Sequence, residues 1–195
     1  KQDKTVGDIE IIGIIFDTYL IIQKSGEMLI IDYHAAHERI NYERLKKRKH
    51  EVISQKLISP INFELSTKEV EILKENIDLF KNIGYEIEEF GEKSFVIQAV
   101  PAFKTYGEDY EVFIKLANFL FEEKNINDTN VLLDELYKIE ACRMSIKQGD
   151  NPSPVQISGL ISDLFDTRIP LTCPHGRPFV YRVSRNELDR KFLRI

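Results

Sequence analysis

The stretch EMLIIDYHAAHERINYERLKKRK, residues 27–49, changes its period partway along. Up to Asp32 it is short and Ile-rich, as a strand is; from about Ala35 to Lys49 its pattern is helical. A strand that ends on an acid and turns into a helix bearing His34, His37 and Glu38 is the kind of junction where sheets in α/β proteins hold ligands. Working outward, residues 9–16 and 18–23 are Ile-rich predicted strands, and Ser25-Gly26-Glu27 is a turn signal before the next one. The N-terminal quarter is therefore predicted to be strands feeding one helix.

Downstream, residues 54–63 show no clear period and contain Pro60, which predicts a connector. Ser66-Thr67-Lys68-Glu69 has capping-box form, Val70, Leu73, Ile77 and Phe80 follow at helical spacing, and Gly84 is the stop. Residues 85–90 and 94–101 are predicted strands around Gly91, 109–124 a helix, and 125–130 a second connector. Helix is predicted from Val131 through Lys147, and Gly149-Asp150-Asn151-Pro152 breaks it. A helix over 156–167, a strand over 178–183 and a short helix opened by Ser184-Arg185-Asn186-Glu187 complete the chain. This order predicts an α/β (α+β) fold with two subdomains. Residues 1–57 and 131–195 form an outer one with a mixed sheet flanked by helices, and 61–130 a smaller α+β insert.

The chain has 195 residues, 43% hydrophobic and 30% charged, an ordinary globular composition that excludes wholly disordered and collagen-like chains. Two cysteines cannot build a disulfide framework and suit a reduced, cytoplasmic setting. The longest apolar runs fall far short of the roughly 20 residues that a membrane span needs. Residue 1 is Lys and no leader pattern follows, so a fragment of a longer polypeptide is expected. The net charge of -5 gives no support to a nucleic-acid binder working alone, but the charge is segregated. Residues 39–49 carry six basic side chains and one acid, 168–195 carry seven against two, and 64–92 carry nine acids and three lysines.

Three short motifs carry candidate chemistry. In His34-Ala35-Ala36-His37-Glu38, His34 and Glu38 share a helix face and can hold one metal ion, although that spacing also suits a surface ion pair. Asp32 stands just before them and Glu43 about a turn beyond. Cys173-Pro174-His175-Gly176-Arg177-Pro178 puts thiolate and imidazole two apart in a Pro/Gly-limited turn, a zinc-type pair. Ala141-Cys142-Arg143 places the other cysteine on a helix.

Together these motifs resemble the C-terminal domain of the MutL mismatch-repair proteins, of the endonuclease-bearing kind. The family pattern Asp-Gln-His-Ala-x-x-Glu-x-x-x-x-Glu runs from Asp32 to Glu43 with Tyr33 in place of Gln. The Ala-Cys-Arg motif stands at 141–143, Cys-Pro-His-Gly-Arg-Pro at 173–178 and the closing Phe-x-Arg at Phe192-Leu193-Arg194. The resemblance implies metal-dependent nicking of one strand of double-stranded DNA, with Asp32, His34, Glu38 and Glu43 as catalytic residues. It implies a metal set of His34, Glu38, Cys142, Cys173 and His175. Zinc suits the cysteines and manganese or magnesium the carboxylates, so zinc is expected to organise the site and the harder ion to support cutting. Arg177, Arg39 and the basic runs are candidates for phosphate contact. Tyr33, if the strand alternates there, is expected to point away from the metal.

The resemblance further implies a homodimer, an upstream ATPase domain, the mismatch-recognition protein MutS as partner and a nucleoid-associated place in the cytoplasm. The outer subdomain is then the dimerisation and metal-site unit, and the insert is regulatory. The strand-rich segments before Asp32 and the helix over 156–167, with Val155, Ile157, Leu160, Ile161, Leu164 and Phe165, offer the surplus apolar surface expected to form the dimer, the helix being read as interface. Gln55-Lys56-Leu57-Ile58-Ser59-Pro60 is similar to peptides that dock on the replication sliding clamp (β clamp), through Gln55, Leu57 and Pro60. A zinc peptidase would want a second His at position 38, and a nucleobase deaminase would want His-x-Glu with Pro-Cys-x-x-Cys; neither is present. The remaining alternative is a non-catalytic dimerisation and clamp-binding scaffold.

Overall fold

A computed structural model of the chain describes residues 5–6, 8–47, 53–103, 108–123, 126–147, 149–166 and 170–194. In order, the elements are β1 (Thr5–Val6), β2 (Ile9–Ile15), β3 (Tyr19–Lys24), β4 (Glu27–Asp32), α1 (Tyr33–Lys47), β5 (Ser54–Glu64), α2 (Thr67–Glu75), α3 (Ile77–Asn82), β6 (Glu86–Glu89), β7 (Ser94–Pro101), α4 (Asp109–Glu122), α5 (Thr129–Arg143), α6 (Pro154–Asp166), β8 (Val180–Ser184) and α7 (Arg185–Lys191). They divide between two units, Lys1–Arg44 with Met144–Ile195, and Leu45–Arg143.

In the first unit the Ile-rich segments form a sheet of order β1-β2-β3-β4-β8. Every pairing in it is antiparallel, so the expected mixed sheet is corrected. Tight hairpins join β2 to β3 and β3 to β4, and hairpins leave no parallel option. One face buries Leu20, Ile22, Leu29 and Ile31 against Tyr33, Ala36 and Ile40 of α1 and Ile157, Leu160, Ile161 and Leu164 of α6. Each such aliphatic side chain contributes roughly 1.5–3 kcal/mol by leaving water. The apolar stripe of α6 is thus core of its own unit, and its expected role as the dimer surface is corrected; Val155 alone of its six apolar residues is largely exposed, at 80%. The other sheet face is apolar too. Ile15 sits opposite Tyr19, and Ile21, Ile30 and Tyr181 line up across β3, β4 and β8. Ile15 is 42%, Tyr19 40% and Tyr181 66% exposed.

The second unit has a sheet of order β5-β7-β6 and a core of Phe63, Phe80, Tyr85, Phe95 and Phe113 with α4 and α5. Phe113 touches three of the other rings, at centroid distances of 4.7, 5.5 and 5.6 Å. The capping box at Ser66 and Glu69 is present and opens α2, and that at Ser184 and Glu187 opens α7. Gly84 has φ +94°, as its stop signal required.

Two expectations change here. Residues 54–63 are not a connector but part of β5, paired to β7. Lys56 pairs with Ala99 and Ile61 with Ile97, so residues 57–60 bulge out of register and break the period. The units also part at 44/45 and 143/144, where the sequence placed boundaries at 57 and 131. α5 goes with the second unit because Leu132 and Leu136 are buried in its core. Among the described residues no helix is long and apolar enough to cross a membrane.

Candidate metal centre

The site in the first unit begins where β4 becomes α1. Asp32 Oδ1 accepts the Ala35 N–H at 3.0 Å, which satisfies an orphan donor of the first helical turn. Tyr33 is fully buried, and its hydroxyl lies 2.7 Å from the Asp17 carbonyl and 3.1 Å from the Asp150 carbonyl as a shared donor. It points into the core, while His34 turns to Ile146 and Glu38. Burial raises the Tyr33 phenol above its ordinary pKa, which keeps it a neutral donor.

His34 and Glu38 meet one turn apart, Nε2 to Oε1 at 3.2 Å, with Glu38 buried. His34 Nδ1 lies 2.6 Å from the Ile146 carbonyl, a contact that needs Nδ1 to carry a proton. In the neutral ring Nε2 is then a lone pair facing a carboxylate oxygen. Two acceptors at that distance require a proton or a cation between them. A hydrogen bond from the far ring nitrogen is also the usual support of a metal-binding histidine. His37 takes the other side of the same residue, with Nδ1 accepting the Ile146 N–H at 3.0 Å. Burial, then the Arg44 charge, holds His37 below its ordinary pKa. It is a neutral acceptor that fixes the 146 peptide.

Across from α1 stands the turn that starts at Cys173. The Gly176 N–H donates to the Cys173 carbonyl at 2.9 Å, and the Cys173 N–H to the Arg177 carbonyl at 2.8 Å. Gly176 has φ +85°, a left-handed conformation that costs other residues roughly 1–2 kcal/mol. Cys173 is buried and His175 exposed. Cys173, His175 and Glu38 each offer a ligand atom within 4.8 Å of one another. One sulfur, one imidazole and one carboxylate, from a helix face and a constrained turn, make a donor set that fits zinc.

The remaining candidates fall elsewhere. Glu43 is paired to Arg39, Oε1 to Nη1 at 3.1 Å. Arg39 is buried, with its guanidinium bonded to Thr172, Cys173 and Glu43, so its expected contact with DNA phosphate is corrected. Arg177 is exposed. Cys142 lies exposed near the end of α5, in the second unit. Gln55, Leu57 and Pro60 lie on β5, also in the second unit; Gln55 and Pro60 are exposed, while Leu57 is half-buried against that unit's core. The roles of His37 and of the Ile146 peptide were not anticipated from sequence, because a backbone partner leaves no mark on residue type. Arg39 had a signal: the i,i+4 spacing to Glu43.

A family model of the MutL C-terminal dimerisation domain matches residues 12–152. The DNA mismatch repair protein MutL of Endomicrobium trichonymphae is 41% identical over 189 residues, covering 96% of this chain and 31% of that protein. The MutL of Thermoanaerobacter pseudethanolicus is 35% identical over 192 residues, 98% of this chain and 31% of its own length. That of Clostridium botulinum (strain Loch Maree / Type A3) is 38% identical over 199 residues, 100% of this chain and 29% of its own length. The chain spans about a third of the length of these relatives. With a family model covering most of its length and relatives above 30% identity along nearly all of it, the chain belongs to the MutL C-terminal dimerisation domain family.

Proposed function

We propose that this domain is the dimerising, metal-dependent DNA-nicking part of a mismatch-repair protein. The observation that carries the reading is the convergence of Glu38, Cys173 and His175, beside a His34 whose Nδ1 is tied to Ile146. Cys173, His175 and Glu38 would hold zinc, and His34 stands beside Glu38. Asp32 and Glu38 are the carboxylates offered to manganese or magnesium, and Cys142 is retained on its motif alone. Bound metal supplies Lewis acidity for the charge that develops on the scissile phosphate. The residues do the rest. His34 is held in one tautomer, Asp32 sets the start of α1, and exposed Arg177 meets the phosphate backbone. Elemental analysis of the purified domain is the direct test. Cys173→Ser should weaken zinc binding by more than the roughly 10–100-fold that losing a supporting residue costs. Zinc stoichiometry unchanged in both Cys173→Ser and His175→Ala removes the site.

Homodimerisation is proposed through the free face of the first unit's sheet, which leaves Ile15, Tyr19 and Tyr181 at the surface. MutS and an ATPase region of the full-length protein are proposed partners. The sliding clamp is proposed to dock at residues 55–60, where the bulge in β5 carries a fully exposed Ile58. Such docking places a Gln in a polar pocket and a Leu in an apolar one. Losing a buried Leu costs on the order of 2 kcal/mol, roughly 30-fold in affinity. Calorimetry with purified clamp should show no measurable binding for Gln55→Ala with Leu57→Ala. Because Leu57 also packs on its own unit, Gln55→Ala alone is the cleaner control, and it should weaken binding without moving the thermal melt. Wild-type affinity in the double variant moves the clamp site elsewhere.

A further inference from the structure

Arg39 is one of the few charged residues buried in the first unit, and every arm of its guanidinium is engaged. Nε donates to the Thr172 carbonyl, Nη2 to the Cys173 carbonyl at 2.7 Å and Nη1 to Glu43 at 3.1 Å. Its guanidinium carbon lies 5.2 Å from the Tyr42 ring centroid. We propose that Arg39 and Glu43 form a positioning pair: Arg39 fixes the two peptides that aim Cys173 and His175 at Glu38, and Glu43 acts through Arg39 rather than as a metal ligand. The proposal rests on the metal reading above.

The two carbonyls belong to consecutive residues, the second being the candidate ligand Cys173 itself. A planar fork that bonds adjacent carbonyls fixes the rotation of the peptides between them; a lysine ammonium, a point charge on a flexible stem, cannot. The Cys173 carbonyl also accepts the Gly176 N–H. Arg39 and the turn's own closing bond therefore meet on one oxygen, and the peptide after Cys173 sets where the chain carries His175. Burying a guanidinium carries a desolvation cost that is offset only when its donors are paired. Two carbonyls satisfy donors but not charge, and the Glu43 carboxylate supplies that. Glu43 belongs to no donor group that gathers among the described residues.

The test is a double-mutant cycle on zinc affinity with Arg39→Gln, Glu43→Gln and the pair together, measured by chelator competition. Cobalt(II) absorption reports thiolate ligation, and thermal melts are taken with zinc and with excess chelator. Each single variant should bind zinc about 10–100-fold more weakly. The double should be no weaker than Arg39→Gln, and the zinc-dependent rise in melting temperature should shrink in all three. Losses that add make Glu43 an independent ligand and overturn the proposal. So do melts lowered equally with and without zinc, or an unchanged cobalt band in Arg39→Gln. Should Arg39→Gln not fold, Arg39→Lys takes its place in the cycle under the same criteria. Wild type that binds no zinc, or a Cys173→Ser variant that binds it as tightly, overturns the metal reading itself; a wild type that binds normally beside unaltered Arg39 and Glu43 variants overturns only the positioning pair.

Discussion

Asp32→Asn and Glu38→Gln are each expected to reduce manganese-dependent nicking of supercoiled plasmid by about 1,000-fold while the thermal melt stays near wild type. Both changes are isosteric and remove one negative charge. Asn keeps an oxygen for the Ala35 N–H, so the start of α1 is preserved. Gln can turn an amide N–H donor toward the His34 Nε2 lone pair in the buried position that Glu38 occupies. What goes, on the proposed reading, is the charge that would hold a cation against the phosphate. Lewis-acid stabilisation is worth several kcal/mol, and about 4 kcal/mol corresponds to roughly three decades of rate. Nicking is scored by conversion of supercoiled to open circles with increasing protein. Retention of more than about a tenth of the wild-type rate in either variant would sink the catalytic assignment and favour the scaffold reading. A rescue of wild-type but not variant activity by added clamp separates weak DNA binding from absent chemistry.

The elements that position the site were legible because their signals are local. The strand run up to Asp32, the helix after it, both capping boxes and the Gly176 turn rest on neighbours within four residues. What failed needed a partner far along the chain. β5 was missed because its bulge over 57–60 removes the alternation on which a strand assignment depends, and only pairing with β7 reveals it. The period of α6 gave its apolar stripe correctly but could not say which layer covers it; Ile157 and Leu164 pack on the sheet of their own unit. Arg39 sat in a basic run and read as a surface charge, yet its partners are carbonyls 133 and 134 residues away. Within the candidate site, the residue types that gather, Glu38, Cys173 and His175, were legible as motifs. The hold on their orientation was not, because the Ile146 peptide and the Thr172 and Cys173 carbonyls are backbone groups that any sequence carries.

With α6 buried in its own unit, the strands remain as the expected apolar face, and this changes the expected result for self-association. Ile15→Lys combined with Tyr181→Lys should convert the domain from dimer to monomer at micromolar concentration. Both side chains stand on the face of the sheet opposite α1 and α6, where the buried Ile21 and the half-buried Ile30 lie between them in register. A two-fold interface presents each residue twice, so two substitutions act on four side chains. At about 1.5 kcal/mol for each apolar side chain left exposed, the loss is about 6 kcal/mol, on the order of 10,000-fold in dissociation constant. Lysines facing each other across the axis add repulsion in the same direction. The core of the unit is untouched because Leu20, Ile22, Leu29 and Ile31 lie on the other face, so zinc content and the melt should hold. Val155→Lys is the counter-variant, since Val155 is the most exposed apolar residue of α6. Light scattering should show a dimer for Val155→Lys and a monomer for the sheet pair. The reverse pattern returns the interface to α6, and a wild-type monomer at micromolar protein removes the dimer from this domain.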